Sequence, residues 1–241
     1  MNSTPKMPST EAQSSLTAGI ITRALQILVM FIAMGFELFL GSGRLNWDWA
    51  WIFLGISLLS VAVNAAFMLR NSPDTIVERG KPKEVQGWDK LIGGILLIGQ
   101  YFLVPLLAAL DQRFAWTGVL PLGWHILGAV IYATGLGLTG WSMIVNAYFS
   151  TAARIQSDRG QQVCRSGPYA FIRHPGYIGF FFQVLSVPLL LGSLWALIFA
   201  FPATICLLIR TSLEDHLLRA ELAGYEQYAQ EVKYRLIPGL W

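Results

Sequence analysis

The sequence predicts an all-α, polytopic membrane bundle of about six transmembrane helices with a polar helix at its C-terminal end. Three observations carry that prediction. The chain is 54% hydrophobic and only 13% charged over 241 residues, with a mean hydropathy of +0.52, too apolar for an ordinary soluble domain. Its apolar residues are gathered in blocks, and each of the blocks near 18–40, 48–69, 91–110 and 123–147 is long enough to cross a bilayer as a helix. Finally, of the 17 Lys and Arg residues, all but Arg44 and Arg113 fall on one side of the alternating topology. That side is expected to be cytoplasmic, with both termini there. The formal charge of +3 then follows from topology and gives no argument for nucleic-acid binding.

Residues 1–16 are rich in Ser, Thr, Pro and Gln and are expected to form a disordered cytoplasmic N-terminus. Asn2-Ser3-Thr4 matches a glycosylation pattern but falls at this cytoplasmic end, where it has no meaning. The first apolar run is long enough to remain as a span, so no cleaved signal segment is read. Glu37 sits near the outer end of that span, and an acid within a membrane helix is a functional candidate.

The four blocks over 17–147 read as a scaffold. Trp47, Trp49 and Trp51, with Trp116 and Trp124, fit aromatic belts at the outer interface. Asn64 and Asn146 suit hydrogen bonds between helices. Gly135, Gly137 and Gly140 spell G-x-G-x-x-G, but no strand precedes them, so the pattern predicts close helix packing rather than a dinucleotide fingerprint. Cys164 and Cys206 are the only cysteines, one in a loop and one in a span. A disulfide framework and a thiolate metal site are not expected.

The region 148–241 differs in character and is expected to carry the chemistry. A long polar connection over 148–175 ends in the turn signal Ser166-Gly167-Pro168-Tyr169, followed by Arg173-His174-Pro175-Gly176-Tyr177-Ile178-Gly179. The residue before a proline is driven out of the helical region, and proline suits the first helical position. Pro175 is therefore expected to open a helix capped by His174. Arg173, His174 and the free N–H groups of the first turn would then favour an anion. The block 176–210 contains Pro188 and Gly192-Ser193 and reads as two short spans joined by a tight turn, with five spans plus a re-entrant hairpin as the alternative. A hairpin would bring Glu214 and Asp215, at the end of its second arm, beside Arg173–Tyr177 at the start of its first. An anion-binding element next to an acidic pair suits a zwitterion bearing an amine, a carboxylate and hydroxyls. Arg210 and Glu214 are four apart on one helical face. His216, beside the acids, reads as structural or solvated.

The pattern Gly167-Pro168-Tyr169-x3-Arg173-His174-Pro175-x-Tyr177-x-Gly179, then Glu214-Asp215, then Gly224-x3-Tyr228-x3-Val232-x2-Arg235-Leu236-Ile237-Pro238, resembles the isoprenylcysteine carboxyl methyltransferase family of integral membrane enzymes. The resemblance covers roughly 145–241. It implies S-adenosylmethionine as cofactor, held between the last membrane helices and the C-terminal tail. It further implies cofactor-binding roles for Gln156, Gln161, Gln162, Val163, Cys164, Tyr169, Arg173, His174, Tyr177 and Glu214, and a catalytic role for Arg210 in placing the methyl acceptor. Two positions depart from the family pattern, Gln161 where His is frequent and Asp215 where a second Glu is frequent; both side chains can still hydrogen-bond.

Methyl transfer from a sulfonium chiefly requires acceptor, methyl and sulfur to be aligned. A carboxylate acceptor needs only a placing cation and exclusion of water; an amine or hydroxyl needs a base unless the amine arrives neutral. The acceptor expected here is a lipid or lipophilic small molecule, either an isoprenylcysteine-like carboxylate or a lipid amine. A bacterial inner membrane is the expected location, where prenylated protein is not an obvious substrate. Two rivals are a sterol-type membrane reductase using NADPH, for which Arg154, Arg159 and Arg165 would serve the extra phosphate, and a transporter or scaffold. The latter predicts mid-membrane polar residues and internal repeats, neither of which is evident.

Overall fold

The computed structural model describes residues 10–71, 75–76, 85–150 and 152–241. Among these residues the regular structure is entirely helical. In chain order the helices are α1 (Thr10–Ser42), α2 (Asp48–Asn71), α3 (Gly87–Phe114), α4 (Leu122–Val145), α5 (Pro175–Leu191), α6 (Leu197–Glu221) and α7 (Tyr225–Glu231). All but α5 and α7 are long and apolar enough to span a membrane, which makes a polytopic helical bundle. Helix α5 has 17 residues, about 26 Å at 1.5 Å per residue, somewhat short of the roughly 30 Å hydrocarbon core. The expected six spans thus become five long helices and one short one.

Three boundaries differ from the sequence reading. Helix α1 already starts at Thr10, inside the segment expected to be disordered; residues 1–9 of that segment, with Asn2-Ser3-Thr4, lie outside the described residues. The third span begins at Gly87 and is interrupted by a π-turn over Gly99–Leu103. Such turns add a residue to the helical ladder and often mark functional positions. Pro188 does not break α5; the hairpin turns at Gly192, whose φ of 80° caps the helix in the left-handed region. Beyond it, the Ser193 hydroxyl donates to Asp111 Oδ2 at 2.6 Å and accepts the Ala196 N–H at 3.1 Å. The buried Asp111 also takes the Thr117 N–H at 2.7 Å, so it ties the end of α3 to the α5–α6 turn.

Small residues set the tightest helix contact. A Cβ on Gly135 would stand 2.7 Å from the Gly179 carbonyl oxygen, and one on Gly179 would meet Thr139 and the Gly135 carbonyl. Helices α4 and α5 therefore approach backbone to backbone, as small-residue faces allow in lipid. Gly140 lies under the Asn64 side chain of α2, whereas Gly137 has open space. Two of the three glycines of the G-x-G-x-x-G pattern thus pack helices. Asn64 donates to Ser60 O of its own helix at 2.9 Å rather than across the interface. The bond that joins α2 to α4 is between Ser57 Oγ and Tyr132 Oη, at 2.8 Å. Leu38, Ala50, Ala108, Leu190, Leu191 and Ala200 form the fully buried centre, while Val29, Phe36, Leu40, Leu59, Phe201 and Ile205 stand exposed on the outside. An apolar exterior around an apolar centre is the pattern of a helix bundle in lipid.

Candidate functional site

A cavity of about 430 Å³ opens where the start of α3, the end of α4, the start of α5 and the end of α6 meet the 148–165 loop. That volume falls in the range of small-molecule sites. All eleven residues expected from the sequence line it: Gln156, Gln161, Gln162, Val163, Cys164, Tyr169, Arg173, His174, Tyr177, Arg210 and Glu214. Its walls divide in two. The loop, Tyr169, His174 and Glu214 are polar, whereas Gly93, Gly94, Leu97, Phe180, Leu207 and Leu217 are apolar or small.

His174 precedes α5 at φ −126° and ψ 59°, outside the helical region and with no capping bond from its side chain, and Pro175 takes the first helical position, as the sequence predicts. The anion site expected at this helix start is not what forms. Arg173 points instead at Asp215, with Nε donating to Oδ1 at 2.8 Å and Nη2 to Oδ2 at 3.1 Å, and its Nη1 donates to Val232 O and Lys233 O. The backbone N–H groups of Arg173 and His174 donate to Tyr234 O and Arg235 O at 3.0 and 2.9 Å. The Arg-His pair thus clamps the C-terminal tail against α5. Burial alone would lower the pKa of Arg173, but the bonds and charge of Asp215 hold it above its ordinary value.

The expected acidic pair also divides by role. Asp215 is fully buried and accepts from Arg173, from Arg235 Nε at 2.9 Å and from Tyr225 Oη at 3.1 Å, with His174 Nε2 at 3.2 Å from Oδ1. Neighbouring residues on a helix point about 100° apart, so Glu214 faces the cavity instead. It accepts a hydrogen bond from the Tyr177 hydroxyl. His216 is exposed on α6, in keeping with its solvated reading.

Arg210 is buried and bidentate to Asp89 of α3, Nε to Oδ1 at 2.7 Å and Nη2 to Oδ2 at 3.2 Å, with its guanidinium 5.7 Å from the Tyr177 ring centre. Asp89 Oδ2 also accepts the Ala153 N–H at 2.8 Å. Asp89 therefore fastens the third span to both α6 and the loop, a link the sequence reading did not contain. Its signal is an acid at the head of an apolar run, in Gly87-Trp88-Asp89-Lys90, just ahead of the hydropathy block that starts near 91. Gln100 and Tyr101, on the π-turn, line the cavity too, and nothing in the hydropathy of that run announces a π-turn.

The loop braces itself before it offers groups to a ligand. Gln156 is 1% exposed; its amide donates to Tyr148 O at 2.6 Å and accepts from Arg159 Nη1 at 2.7 Å. Gln161 Oε1 accepts the Gln156 N–H at 2.7 Å. Cys164 Sγ lies 3.6 Å from Val145 O, and Gln162 is exposed at the rim. Beneath them Tyr228 Oη donates to Tyr169 O at 2.7 Å. Burial pushes the Tyr169, Tyr225 and Tyr228 phenols above their ordinary pKa, so all three remain hydrogen-bond donors at neutral pH. Asn146, at the end of α4, lines the cavity, accepts the Tyr148 N–H at 3.0 Å and hydrogen-bonds the Tyr169 side chain. Glu37 is not part of this cavity lining; its Oε2 is buried without a hydrogen-bond partner among the described residues.

Fold and site together define a multi-pass helical membrane protein with a half-polar, half-apolar chamber at one end of its bundle. Residues 127–220 match the model of the isoprenylcysteine carboxyl methyltransferase (ICMT) family, the stretch that holds most of α4, the loop, α5 and nearly all of α6. The resemblance carried by the motifs is borne out over that region, and it indicates a membrane methyltransferase. Among curated proteins none matches the chain.

Proposed function

We propose that this protein transfers a methyl group from S-adenosylmethionine to a lipophilic acceptor. The observation that carries the reading is the two-sided cavity, with a polar wall of loop, Tyr169, His174 and Glu214 joined to an apolar wall of α3 and α6. Its donor set fits the cofactor. Glu214 is a carboxylate facing the chamber and suits an α-ammonium group, while the exposed Gln162 and the backbone of 161–164 suit a ribose or an adenine edge. When bound there, S-adenosylmethionine would supply an already activated methyl. The chain then has to hold the acceptor in line and keep water out.

The acceptor would enter along the apolar wall, where Gly93 and Gly94 have nothing within 4 Å of an added Cβ. The expectation that Arg210 receives an acceptor carboxylate meets its bidentate bond to Asp89. A carboxylate there would face both Asp89 and Glu214. That arrangement favours a lipid amine over an isoprenylcysteine-like carboxylate, with Arg210 and Asp89 acting as one neutral, placing pair. For the reductase reading, the three loop arginines already have partners: Arg154 pairs with Asp158 at 3.2 Å, Arg159 with Gln156, and Arg165 with Glu231. A second phosphate would have to displace them. The excess of Lys and Arg at the cavity end supports a cytoplasmic position for that end and both termini, and the bacterial inner membrane is the proposed location. The region 148–241 with its tail is the proposed catalytic region, and 17–147 the scaffold.

The test is transfer of labelled methyl from S-adenosylmethionine to a bacterial lipid extract by the detergent-purified protein. The label is expected to stay non-volatile in alkali, as an N-methyl group does. Label released by alkali as volatile methanol would come from a methyl ester and would restore the carboxylate acceptor. No transfer to any extract, in a protein that binds S-adenosylhomocysteine, would remove the lipid acceptor from the reading. Arg210→Lys, which keeps a cation beside the buried Asp89, is expected to bind S-adenosylhomocysteine and to transfer more slowly.

A further inference from the structure

A second cavity, of about 320 Å³, lies at the opposite end of the bundle, where the α1–α2 loop, the α3–α4 loop, the start of α4 and the Gly192 turn converge. The sequence reading gives these residues no task beyond an aromatic belt. Four features set the cavity apart from a bare crevice. Trp47 is 3% exposed, yet its Nε1–H has no hydrogen-bond partner among the described residues. An orphaned buried donor of this kind is costly unless something accepts from it. His125 stacks on Trp49 at 4.5 Å with the rings 5° from parallel, and its Nδ1 lies 2.9 Å from Leu190 O. A carbonyl oxygen only accepts, so Nδ1 is the donor in that contact, and Nε2 lies on the Gly192 side.

Two exposed charges of opposite sign complete the lining, Arg44 on the α1–α2 loop and Asp48 at the head of α2. Arg44 and Arg113 are the cations of this end of the bundle, and Arg113 is packed against Gly43. A lone anion would meet Asp48, and a lone cation would meet Arg44. A ligand carrying both charges a few ångströms apart satisfies the two together. The rim shows how such a ligand is anchored: Val119, in the lining, is 99% exposed, and Leu45, Leu122 and Trp124 are exposed nearby in sequence. These are apolar groups at the level where a glycerol backbone and acyl chains begin.

We propose that this cavity is a binding site for the headgroup of a zwitterionic aminophospholipid in the leaflet away from the large cavity. In it the phosphate meets Arg44 and the indole N–H of Trp47, and the ammonium meets Asp48 and the aromatic wall. The proposal does not depend on what the large cavity binds, because the two sites are built from opposite ends of the helices.

The experiment is thermal unfolding of the delipidated full-length protein in detergent, with three probes added in turn: short-chain phosphatidylethanolamine, short-chain phosphatidylglycerol and free phosphoethanolamine. Phosphatidylethanolamine is expected to raise the Tm of the parent protein by several degrees, and more than either other probe. Arg44→Gln should lose at least half of that shift, and Asp48→Asn should lose the preference for phosphatidylethanolamine over phosphatidylglycerol. Both side chains are exposed, so neither variant should unfold the protein. An equal shift from phosphatidylglycerol in the parent protein would overturn the zwitterionic headgroup. An equal shift from phosphoethanolamine would overturn the lipid. A full phosphatidylethanolamine shift retained in Arg44→Gln would place the binding elsewhere and overturn the site.

Discussion

The two halves of this molecule are held together by different physics. Helices α1 and α2 are joined to the rest mainly by apolar contacts, with Leu38 and Ala50 buried and long rows such as Val29, Phe36, Leu40 and Leu59 left outside. At the cavity end, the start of α5, the end of α6 and the tail are joined by charge as well. Asp215, fully buried, gathers Arg173, Arg235, Tyr225 and His174 from three separate parts of the chain. Apolar packing in lipid tolerates exchange of one aliphatic residue for another, because the surroundings are equally apolar. A buried carboxylate with several donors tolerates almost nothing, since each remaining charge needs its partner. The site sits where this second kind of order prevails, and the third span reaches into it through Asp89, Gln100 and Tyr101.

The sharpest way to break the contrast is Asp215→Ala. Removing this carboxylate leaves Arg173 buried and unpaired, and the expected cost is about 3–5 kcal/mol. It should appear as loss of folded, monodisperse protein and release of the C-terminal tail to protease. A variant that purified with an unchanged Tm would show that the charge network holds nothing. Glu214→Gln, one residue away, should behave oppositely. A hydrogen bond to a charged group contributes roughly 1.5–3 kcal/mol, so S-adenosylhomocysteine affinity should fall by about 10- to 100-fold while Tm moves little. If both variants lost stability alike, Glu214 would belong to the network rather than to a ligand.

The glycines sharpen the comparison on the apolar side. Gly135→Ala would drive a methyl into the Gly179 carbonyl, and overpacking of this kind costs about 1–3 kcal/mol. Gly137→Ala, two residues away in open space, should change Tm by less than the equivalent of about 1 kcal/mol and could raise it, because alanine is the better helix former. Thermal unfolding of the pair in one detergent reads both. Equal effects would mean that the α4–α5 approach is looser than described.

The bundle itself was legible in the sequence because hydropathy and the placement of Lys and Arg are properties of single segments. The His174 cap and the meeting of α5 with the end of α6 were legible for a local reason: Pro175 fixes one and the short Gly192-Ser193 turn forces the other. What the sequence concealed is pairing. Nothing in Arg173-His174 tells that the guanidinium turns to Asp215 and the tail rather than to a ligand. Nothing in Arg210 tells that Asp89, 121 positions earlier, holds it. Long-range partners of charged residues depend on which helix ends the fold brings together, and single-segment patterns do not carry that information. The π-turn at Gly99–Leu103 was hidden for a related reason, since it shifts a helix register without altering its apolar character.

The most direct test of the central claim is calorimetric titration of the detergent-purified protein with S-adenosylhomocysteine, with NADPH as the parallel ligand. Saturable binding of S-adenosylhomocysteine, weakened by Glu214→Gln and absent for NADPH, is the predicted result. Binding of NADPH alone would assign the same cavity to a reductase and contradict the account.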